Sequence, residues 1–572
     1  MLLLLRDIFA CERKSGECRR SGVNSLQSIS LLIHSFHSVF KLHESNVSFV
    51  GSAQRCVIVM LSAESSRVAH ALQNVQLIAL SLFFLPLDTF LVFFSYAVRI
   101  VTAIPATSHR ARVRSTHTRY VQPRNVLITG VGMTKGLALA RLFYIAGHNV
   151  IGADFEPWYL PFPLTSGHVS RSIRKFHCLS KPDGTREGSA RYAQSLLKII
   201  HKERIDIWVS CSGVASAVED GEAKETIERL TDCKCVQYNV PTTKLLHEKH
   251  TFIDYVASLG LKTPDTHTIT SRAVALKVLG DALSTKKRYI MKFIGTDDSV
   301  RGDMTLLPFS TPTQTKAHIS RLDISEERPW ILQQYIDGPE YCTHALVVRG
   351  QVKAFVACPS AELLMHYEAL PSDSSLSRSM LRFTQEVAGS DAANFTGHLS
   401  FDFMVDKEEK MAADRDPNRI VTLYPIECNP RAHTAVCLFN ETPEMIEGYI
   451  SLLEPPRAGE TTATNGNANV QPVYPRSPKK YYWVGHDLVE FVLVPLLSLL
   501  SFQGVSFGQA FDSISTFLEH VLFWRDGSFE IWDPLPAWWL YHVYWPYQFL
   551  VALVTGNKWS RINVSTTKMF GC

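Results

Sequence analysis

Two segments decide the fold: SFDFMV at residues 400–405 and YPIECNPR at residues 424–431. Both are predicted to be strands of one β-hairpin. Glu427 and Asn429, two apart on a strand, point to the same face, and Asp402 can join them across the pair. Two carboxylates and an amide on apolar strands form a hard-oxygen cluster suited to Mg²⁺, or to Mn²⁺ in its place. The alternative is an acidic hairpin without a metal. The charged insert 406–419 is predicted to be an extended hairpin loop.

Three further features precede the hairpin in a fixed order. The first is LLHEKHTF at residues 245–252, predicted to open a helix that ends at Gly260. The second is the strand YIMK at residues 289–292, followed by a loop from Gly295 to Gly302. The third is WILQQYIDGPEY at residues 330–341.

Lys292 and the loop after it indicate phosphate binding. A lysine at the end of an apolar strand places a fixed cation where a triphosphate needs neutralising, the alternative being a solvated surface lysine. The loop N–H groups can donate to phosphate oxygens. Because Asp297 and Asp298 within the loop would repel a triphosphate, Ser299 and Arg301 are the expected phosphate contacts.

This order of features resembles the ATP-grasp superfamily, which includes D-alanine–D-alanine ligase, carbamoyl-phosphate synthase and related carboxylate–amine ligases. The resemblance covers about residues 124–454, and its most specific element is Glu-x-Asn-Pro-Arg at a strand end opposite an Asp. The chain as a whole also looks like fungal ATP-grasp enzymes of secondary-metabolite clusters, such as those of the fumisoquin type. The loop 295–302 is poorer in glycine than the family pattern.

The resemblance implies roles for further residues. It implies that Lys249 binds the phosphates beside Lys292, that the hinge Gln333, Gln334 and Ile336 binds adenine through its backbone, and that Glu340 reaches the ribose hydroxyls. Arg431 would hold the forming acyl phosphate, with Arg301 as a second catalytic arginine. Lys249 as a solvated lysine and Glu340 as a turn acid remain the alternatives. The implied activity is an ATP- and Mg²⁺-dependent ligase that activates a carboxylate as an acyl phosphate for attack by an amine or a thiol.

The region upstream carries a second nucleotide-like pattern. A strand at 125–129 leads into the loop GVGMTKG at 130–136, a helix at 137–146 and a strand at 150–154 ending in Asp154. With a helix at 190–202 and a strand at 205–210, this predicts a doubly wound, Rossmann-like α/β domain. The loop is GxGxxxG rather than GxGxxG, and the chain has no Tyr-x-x-x-Lys pair. An architectural or substrate-side role is therefore favoured over an NAD(P)-dependent oxidoreductase, which stays open as an alternative.

Apolar segments flank these regions and predict membrane association. Residues 75–98 are long enough to cross a bilayer of about 30 Å, but Pro86 and Asp88 in the middle favour a re-entrant hairpin as a competing arrangement. Arginines at 99, 110, 112 and 114 place the downstream chain on the cytosolic side. The alternative is a buried core helix. Aromatic residues crowd 535–554, as at a membrane interface or in a cap on the globular body.

Composition sets the remaining limits. The 572 residues carry 58 Lys+Arg and 54 Asp+Glu, a net charge of +4 that argues against a nucleic-acid binder. The 12 cysteines include no CxxC pair, so reduced thiols in the cytosol are expected.

The fold class predicted is thus α/β and α+β, and the partners expected are small-molecule carboxylates and amines, a membrane and pathway enzymes. An ATP-binding scaffold with weak catalysis is a further alternative, because of the loop aspartates. The predicted organisation is: 1–74 unassigned, 75–104 membrane anchor, 124–242 Rossmann-like pre-ATP-grasp domain, 243–454 two-lobed ATP-grasp domain, 455–480 linker, and 481–572 apolar C-terminal region.

Overall fold

The computed structural model describes residues 61, 65–101, 122–157, 159–211, 213, 216–285, 287–293, 305–360, 365–455, 471–500 and 505–572. They form a mixed α/β protein, as predicted. The first helix described is α1, Arg67–Val101, which runs through Pro86 without interruption. Of the two competing arrangements, the continuous helix is the one formed, and the re-entrant hairpin at Pro86 is not.

The first sheet has five parallel strands in the order β3-β2-β1-β4-β5. Gly130 adopts a φ of +72°, and a Cβ on Gly136 would lie 2.3 Å from the Gly130 carbonyl oxygen, so the helix after the loop packs directly on the strand before it. The elements are β1 (Asn125–Thr129), α2 (Thr134–Ile145), β2 (Asn149–Phe155), β3 (Ile173–Leu179), α3 (Arg186–Glu203), β4 (Ile207–Val209), α4 (Ala217–Leu230) and β5 (Lys234–Val236).

Two antiparallel four-stranded sheets follow, with orders β6-β9-β7-β8 and β11-β10-β12-β13. The elements of this region are α5 (Val240–His247), α6 (Lys249–Ser258), β6 (Thr266–Ile269), α7 (Arg272–Thr285), β7 (Tyr289–Phe293), β8 (Leu306–Leu307), α8 (Pro312–Arg321), β9 (Trp330–Gln334), β10 (Glu340–Val348), β11 (Gln351–Pro359), α9 (Ser375–Gly389), β12 (Gly397–Met404), α10 (Lys407–Arg415), β13 (Tyr424–Asn429) and α11 (Met445–Ile450).

Three local predictions in this region need correction. The charged insert 406–419 is not an extended loop: it contains α10, whose N-cap Asp406 accepts from the Glu408 N–H. The predicted helix from residue 245 is two helices, which meet at Glu248, an extended residue with φ −77° and ψ 123°. The second part of the predicted linker is docked, since the Val473 N–H donates to the Lys353 carbonyl at 2.9 Å.

The C-terminal region divides between two compact units. Asp487–Phe523 belongs to a separate small unit, in which His520 Nδ1 lies 2.6 Å from an Asp487 carboxylate oxygen. Residues 524–572 return to the main unit. The elements of the whole region are β14 (Tyr481–Tyr482), α12 (Val484–Asp487), a π-helix (Leu488–Leu493), α13 (Val494–Leu500), α14 (Phe507–Phe523), β15 (Arg525–Asp526), α15 (Leu535–Trp539), a π-helix (Leu540–Tyr544), α16 (Trp545–Thr555), β16 (Trp559–Asn563) and β17 (Lys568–Gly571).

Candidate active site

The β12–β13 hairpin places three predicted metal ligands together. Asp402 lies directly opposite Glu427, and Asn429 lies opposite Ser400 on the same antiparallel pair. The Asn429 Nδ2 donates to an Asp402 carboxylate oxygen at 3.2 Å. The two carboxylates and the amide therefore share one face of the sheet.

A row of side chains continues from this pair across all four strands. Cys342 on β10 is the register partner of Asp402 on one side and of Cys358 on the other, and the two sulfurs are 3.3 Å apart. Sequence analysis did not place these thiols at the site, because the register of β10 against β12 joins residues 60 apart in the chain.

Lys249 reaches the hairpin from the first residue of α6. Its Nζ lies 3.0 Å from a Glu427 carboxylate oxygen. Burial alone would raise the pKa of Glu427, but the charges of Lys249 and Arg431 outweigh it and hold the pKa below the ordinary value. Glu427 is therefore an anion at neutral pH, as a metal ligand must be.

Lys292 brings a second cation from β7. Its Nζ donates to the Gln333 side-chain oxygen at 2.7 Å. Burial, followed by repulsion from Lys249, lowers the pKa of Lys292 to about 8, against the opposing attraction of Glu427 and nearby acids. The two lysines and the hairpin carboxylates thus interact electrostatically within one site.

Several polar groups of the hairpin lack partners among the described residues. Asn429 Oδ1 and Arg431 Nη1 are buried there without a hydrogen-bond partner. Burial and the charges of Glu427 and Glu340 raise the pKa of Asp402 well above its ordinary value. An anionic Glu427 beside an Asp402 that resists ionisation, with an unused amide oxygen next to them, fits a divalent cation, whose charge would stabilise both carboxylates as anions.

The predicted adenine hinge is partly committed to internal bonds. The N–H groups of Gln334 and Tyr335 donate to the carbonyls of Asp265 and Arg288 at 2.7 and 2.8 Å. The Gln333 side chain is held by Lys292. Gln333 lies within β9, opposite Thr266 of β6 and Ile290 of β7, whereas Ile336 lies beyond the end of β9.

Two predicted phosphate contacts, Ser299 and Arg301, lie outside the described residues. Glu340 begins β10, opposite Met404, and contributes to the field around Lys292 and Asp402. The structure thus brings eight predicted residues into one group connected by charge interactions and hydrogen bonds: Lys249, Lys292, Gln333, Glu340, Asp402, Glu427, Asn429 and Arg431.

A buried lysine behind the hairpin was missed. Lys135, in the first turn of α2, is 3% exposed, and burial followed by repulsion from Arg431 lowers its pKa to about 7. Burial and the Lys135 charge also lower the pKa values of His398 and His433 to about 3, so both imidazoles are neutral and unsuited to acid–base work at pH 7. The signal available in the sequence was the position of Lys135 directly before Gly136, the last glycine of the loop 130–136.

The glycine loop of the first sheet is closed by Asp154. One carboxylate oxygen accepts from the Gly132 N–H at 2.9 Å and the other from the Phe155 N–H at 2.8 Å. Burial raises the pKa of Asp154 to about 6 despite these bonds. The acid that would bind a ribose in a dinucleotide enzyme instead occupies the loop itself, which disfavours the NAD(P) alternative.

No protein-family model matches the chain, and no curated protein sequence matches it. The chain is similar to the L-amino acid ligase from Bacillus licheniformis, with 13% identity over 63% of this chain and 79% of that one, at a TM-score of 0.39.

Two further structures are similar to the same extent. Phosphoribosylamine–glycine ligase from Thermotoga maritima has 14% identity over 62% of this chain and 78% of that one, at a TM-score of 0.39. The biotin carboxylase domain of Hydrogenobacter thermophilus 2-oxoglutarate carboxylase, in complex with MgADP, ADP and bicarbonate, has 11% identity over 59% and 72%, at a TM-score of 0.39. Since TM-scores below 0.5 establish no family, the activity of this chain has to be argued from its own side chains.

Proposed function

We propose that the protein is an ATP- and Mg²⁺-dependent ligase that activates a carboxylate as an acyl phosphate and transfers the acyl group to an amine, or to a thiol. The observation that supports this most is the grouping of two cations, Lys249 and Lys292, with the carboxylates of Asp402 and Glu427. In such a group the carboxylates can hold a metal ion and the two lysines can neutralise a triphosphate, and phosphoryl transfer needs little beyond positioning and charge neutralisation.

The chemistry balances in two steps. A substrate carboxylate oxygen attacks the γ-phosphorus of ATP, and ADP leaves with the electron pair of the broken P–O bond. The amine then attacks the acyl carbon, loses a proton and expels inorganic phosphate. A bound Mg²⁺ would neutralise the phosphate oxygens.

Particular side chains would serve each step. Asp402, Glu427 and Asn429 offer oxygens to the cation, while Lys292 and Lys249 would bind phosphate oxygens. Arg431, whose Nη1 has no partner among the described residues, is free to hold the acyl phosphate. We place Ser299, Arg301, Ile336 and Glu340 in the same proposal as phosphate, adenine and ribose contacts.

The natural setting belongs to the proposal as well. The similarity to fungal secondary-metabolite ATP-grasp enzymes, including the fumisoquin type, supports a role in small-molecule biosynthesis beside other pathway enzymes. Metabolite profiling of a host that expresses the chain with and without Glu427 tests this directly. Identical profiles would contradict it.

The enzymatic test uses Glu427→Ala, with Glu408→Ala on α10 as the matched control, since that glutamate is exposed and outside the site. Purified protein is screened for ADP release with MgATP and pairs of amino acids as acid and amine. We expect acid-dependent ADP release from the wild type and from Glu408→Ala, and none from Glu427→Ala. Equal release from both variants would refute the assignment.

The scaffold alternative rests on Asp297 and Asp298 in the phosphate loop. It predicts that MgATP raises the unfolding temperature of the wild type while no acid and amine pair releases ADP. The ligase proposal predicts the same rise in unfolding temperature together with ADP release, so the two measurements on one preparation separate the functions.

A further inference from the structure

Helix α1 carries a polar stripe at seven-residue spacing. The stripe consists of Asn74, Ser81, Asp88 and Ser95, which lie on one side of a helix because seven residues make almost two turns. Asn74 and Ser95 are each 1% exposed although they are polar. The stripe therefore faces protein rather than solvent.

The partner of the stripe is the C-terminal segment that contains α15, the π-helix and α16. From Asn74 to Thr89 of α1 the bonded partner changes from residue 559 to residue 538, so the two segments run antiparallel. Hydrogen bonds between described residues connect them: Trp559 Nε1 to Asn74 Oδ1 at 2.9 Å, Ser81 Oγ to the Tyr541 carbonyl at 2.9 Å and with His542 Nδ1 at 3.0 Å, His542 Nε2 with Asp88 Oδ2 at 2.8 Å, and Trp538 Nε1 to Thr89 Oγ1 at 3.0 Å.

The opposite side of α1 is apolar and exposed. Phe83 is 75% exposed and Phe90, seven residues on, is 55% exposed. α16, which packs against α1, also exposes Leu550 and Val554. Further exposed apolar residues of α1 are Val68, Leu72, Val75, Leu82, Leu87, Phe93, Ile100 and Val101. A helix with its polar side inward and its apolar side outward is built for an apolar environment.

The charges of the two segments complement anionic lipid headgroups. Residues 65–101 and 535–572 together contain five basic residues and a single acidic one, Asp88. That aspartate is already paired with His542. The basic residues are Arg67, Arg99, Lys558, Arg561 and Lys568, so Arg67 and Arg99 stand at the two ends of α1.

We propose that α1 lies in the plane of an anionic phospholipid bilayer, with its apolar side in one leaflet and its polar stripe on the protein, so that it anchors the chain without crossing the membrane. If α1 crossed the membrane, Asp88 and the rest of the polar stripe would lose their bonds to the C-terminal segment and would be exposed to hydrocarbon. The helix is also long for a crossing: 35 residues span about 52 Å, against a hydrocarbon layer of about 30 Å. This anchor is independent of the ligase proposal.

Native glycosylation sequons distinguish lying from crossing. Asn46 precedes α1, whereas Asn394, Asn440 and Asn563 follow it. Full chain translated into microsomes should carry no glycan, as should a variant with an efficient sequon added next to Asn46. A glycan on the segment before α1 alone would show that the helix crosses, and would overturn the proposal.

Flotation tests the lipid-facing side. We expect the full chain to float with vesicles of phosphatidylcholine and phosphatidylglycerol at 3:1, and Phe83→Asp/Phe90→Asp to lose binding at least 10-fold. The matched control is Leu230→Asp on α4, which is also exposed and apolar, and should float like the wild type. Unchanged flotation of the double variant, or a lipid-free dimer that the double variant abolishes, would refute the lipid contact.

A second variant tests the stripe. In-plane binding predicts that Asp88→Leu lowers the unfolding temperature, because the bond to His542 is lost, without strengthening flotation. A crossing helix predicts stronger membrane insertion when the charge is removed, and that result would contradict the proposal.

Discussion

The glycine loop of the first sheet and the β12–β13 hairpin both carry the residue types of a nucleotide site, yet they differ in how their polar groups are satisfied. At the loop, both carboxylate oxygens of Asp154 accept from backbone N–H groups, one from Gly132 in the loop and the other from Phe155 at the end of β2. In the hairpin, Asn429 Oδ1 and Arg431 Nη1 have no partner among the described residues, and Asp402 resists ionisation. A site whose polar groups are already satisfied has little to offer a ligand, whereas unsatisfied buried groups gain free energy when one binds.

The largest effect should come from Asp402→Asn. We expect turnover to fall about 10³-fold, on the scale of losing one group that stabilises the transition state. Without Mg²⁺, however, the variant should be more stable than the wild type at pH 8, because it removes a carboxylate that is costly to ionise. Turnover assays and thermal unfolding measure the two effects.

The sign of the stability effect follows from the raised pKa of Asp402. Since the folded-state pKa lies above the unfolded value, the wild type loses stability as pH rises through the folded pKa, and keeps it below the unfolded pKa. The difference between wild type and Asp402→Asn should therefore vanish near pH 3. If Asp402→Asn were less stable than the wild type at every pH, the polar groups of the hairpin would be as fully hydrogen-bonded as those of the glycine loop.

For Lys292 we expect a tenfold change in the KM for ATP per pH unit. With a pKa of about 8, its ammonium is present below that pH and disappears above it, so the KM for ATP should rise about tenfold per unit above pH 8. Lys292→Arg keeps its charge and should flatten the profile. If the KM for ATP of the wild type and of Lys292→Arg depends on pH in the same way, Lys292 does not bind phosphate.

The smallest effect on turnover is expected from a substitution of Asp154 at the glycine loop. Asp154→Asn should change turnover less than about twofold and lower the free energy of unfolding by about 1 kcal/mol, the net value of a hydrogen bond. The fluorescence of NADPH should be the same in buffer alone, with the wild type and with Asp154→Asn. Enhanced fluorescence with the wild type that Asp154→Asn abolishes would reverse the comparison and make the loop a dinucleotide site.

Sequence reasoning succeeded where local chemistry decides the outcome. Asp402, Glu427 and Asn429 could be placed on one face because polar residues on apolar strands need a partner and the strand period is fixed. Cys342 and Lys135 could not be placed beside them, since that requires the register of β10 and the packing of α2 behind the hairpin. Cys342 leaves no local signal, and Lys135 leaves only its position directly before the last glycine of the loop.

The sequence was also a poor guide to helices that are stabilised by contacts with residues distant in the chain. α10 looks like a loop because six of its nine residues are charged. Besides its Asp406 cap, it is held by the buried Ala413, whose carbonyl accepts from Ser375 Oγ on α9 at 3.1 Å. In α1, Ser81 and Asp88 look like interruptions of an apolar span, and their purpose becomes visible only when Tyr541 and His542 lie opposite them.

The pairing of α1 with the C-terminal segment also affects how the protein is made. Asp88 and His542 are 454 residues apart, so at 5–20 residues per second the ribosome needs about 20–90 s to deliver the second partner after the first. During that interval the nascent helix has neither side covered. A nearby bilayer or a chaperone that shelters the emerging helix would therefore raise the yield of folded protein.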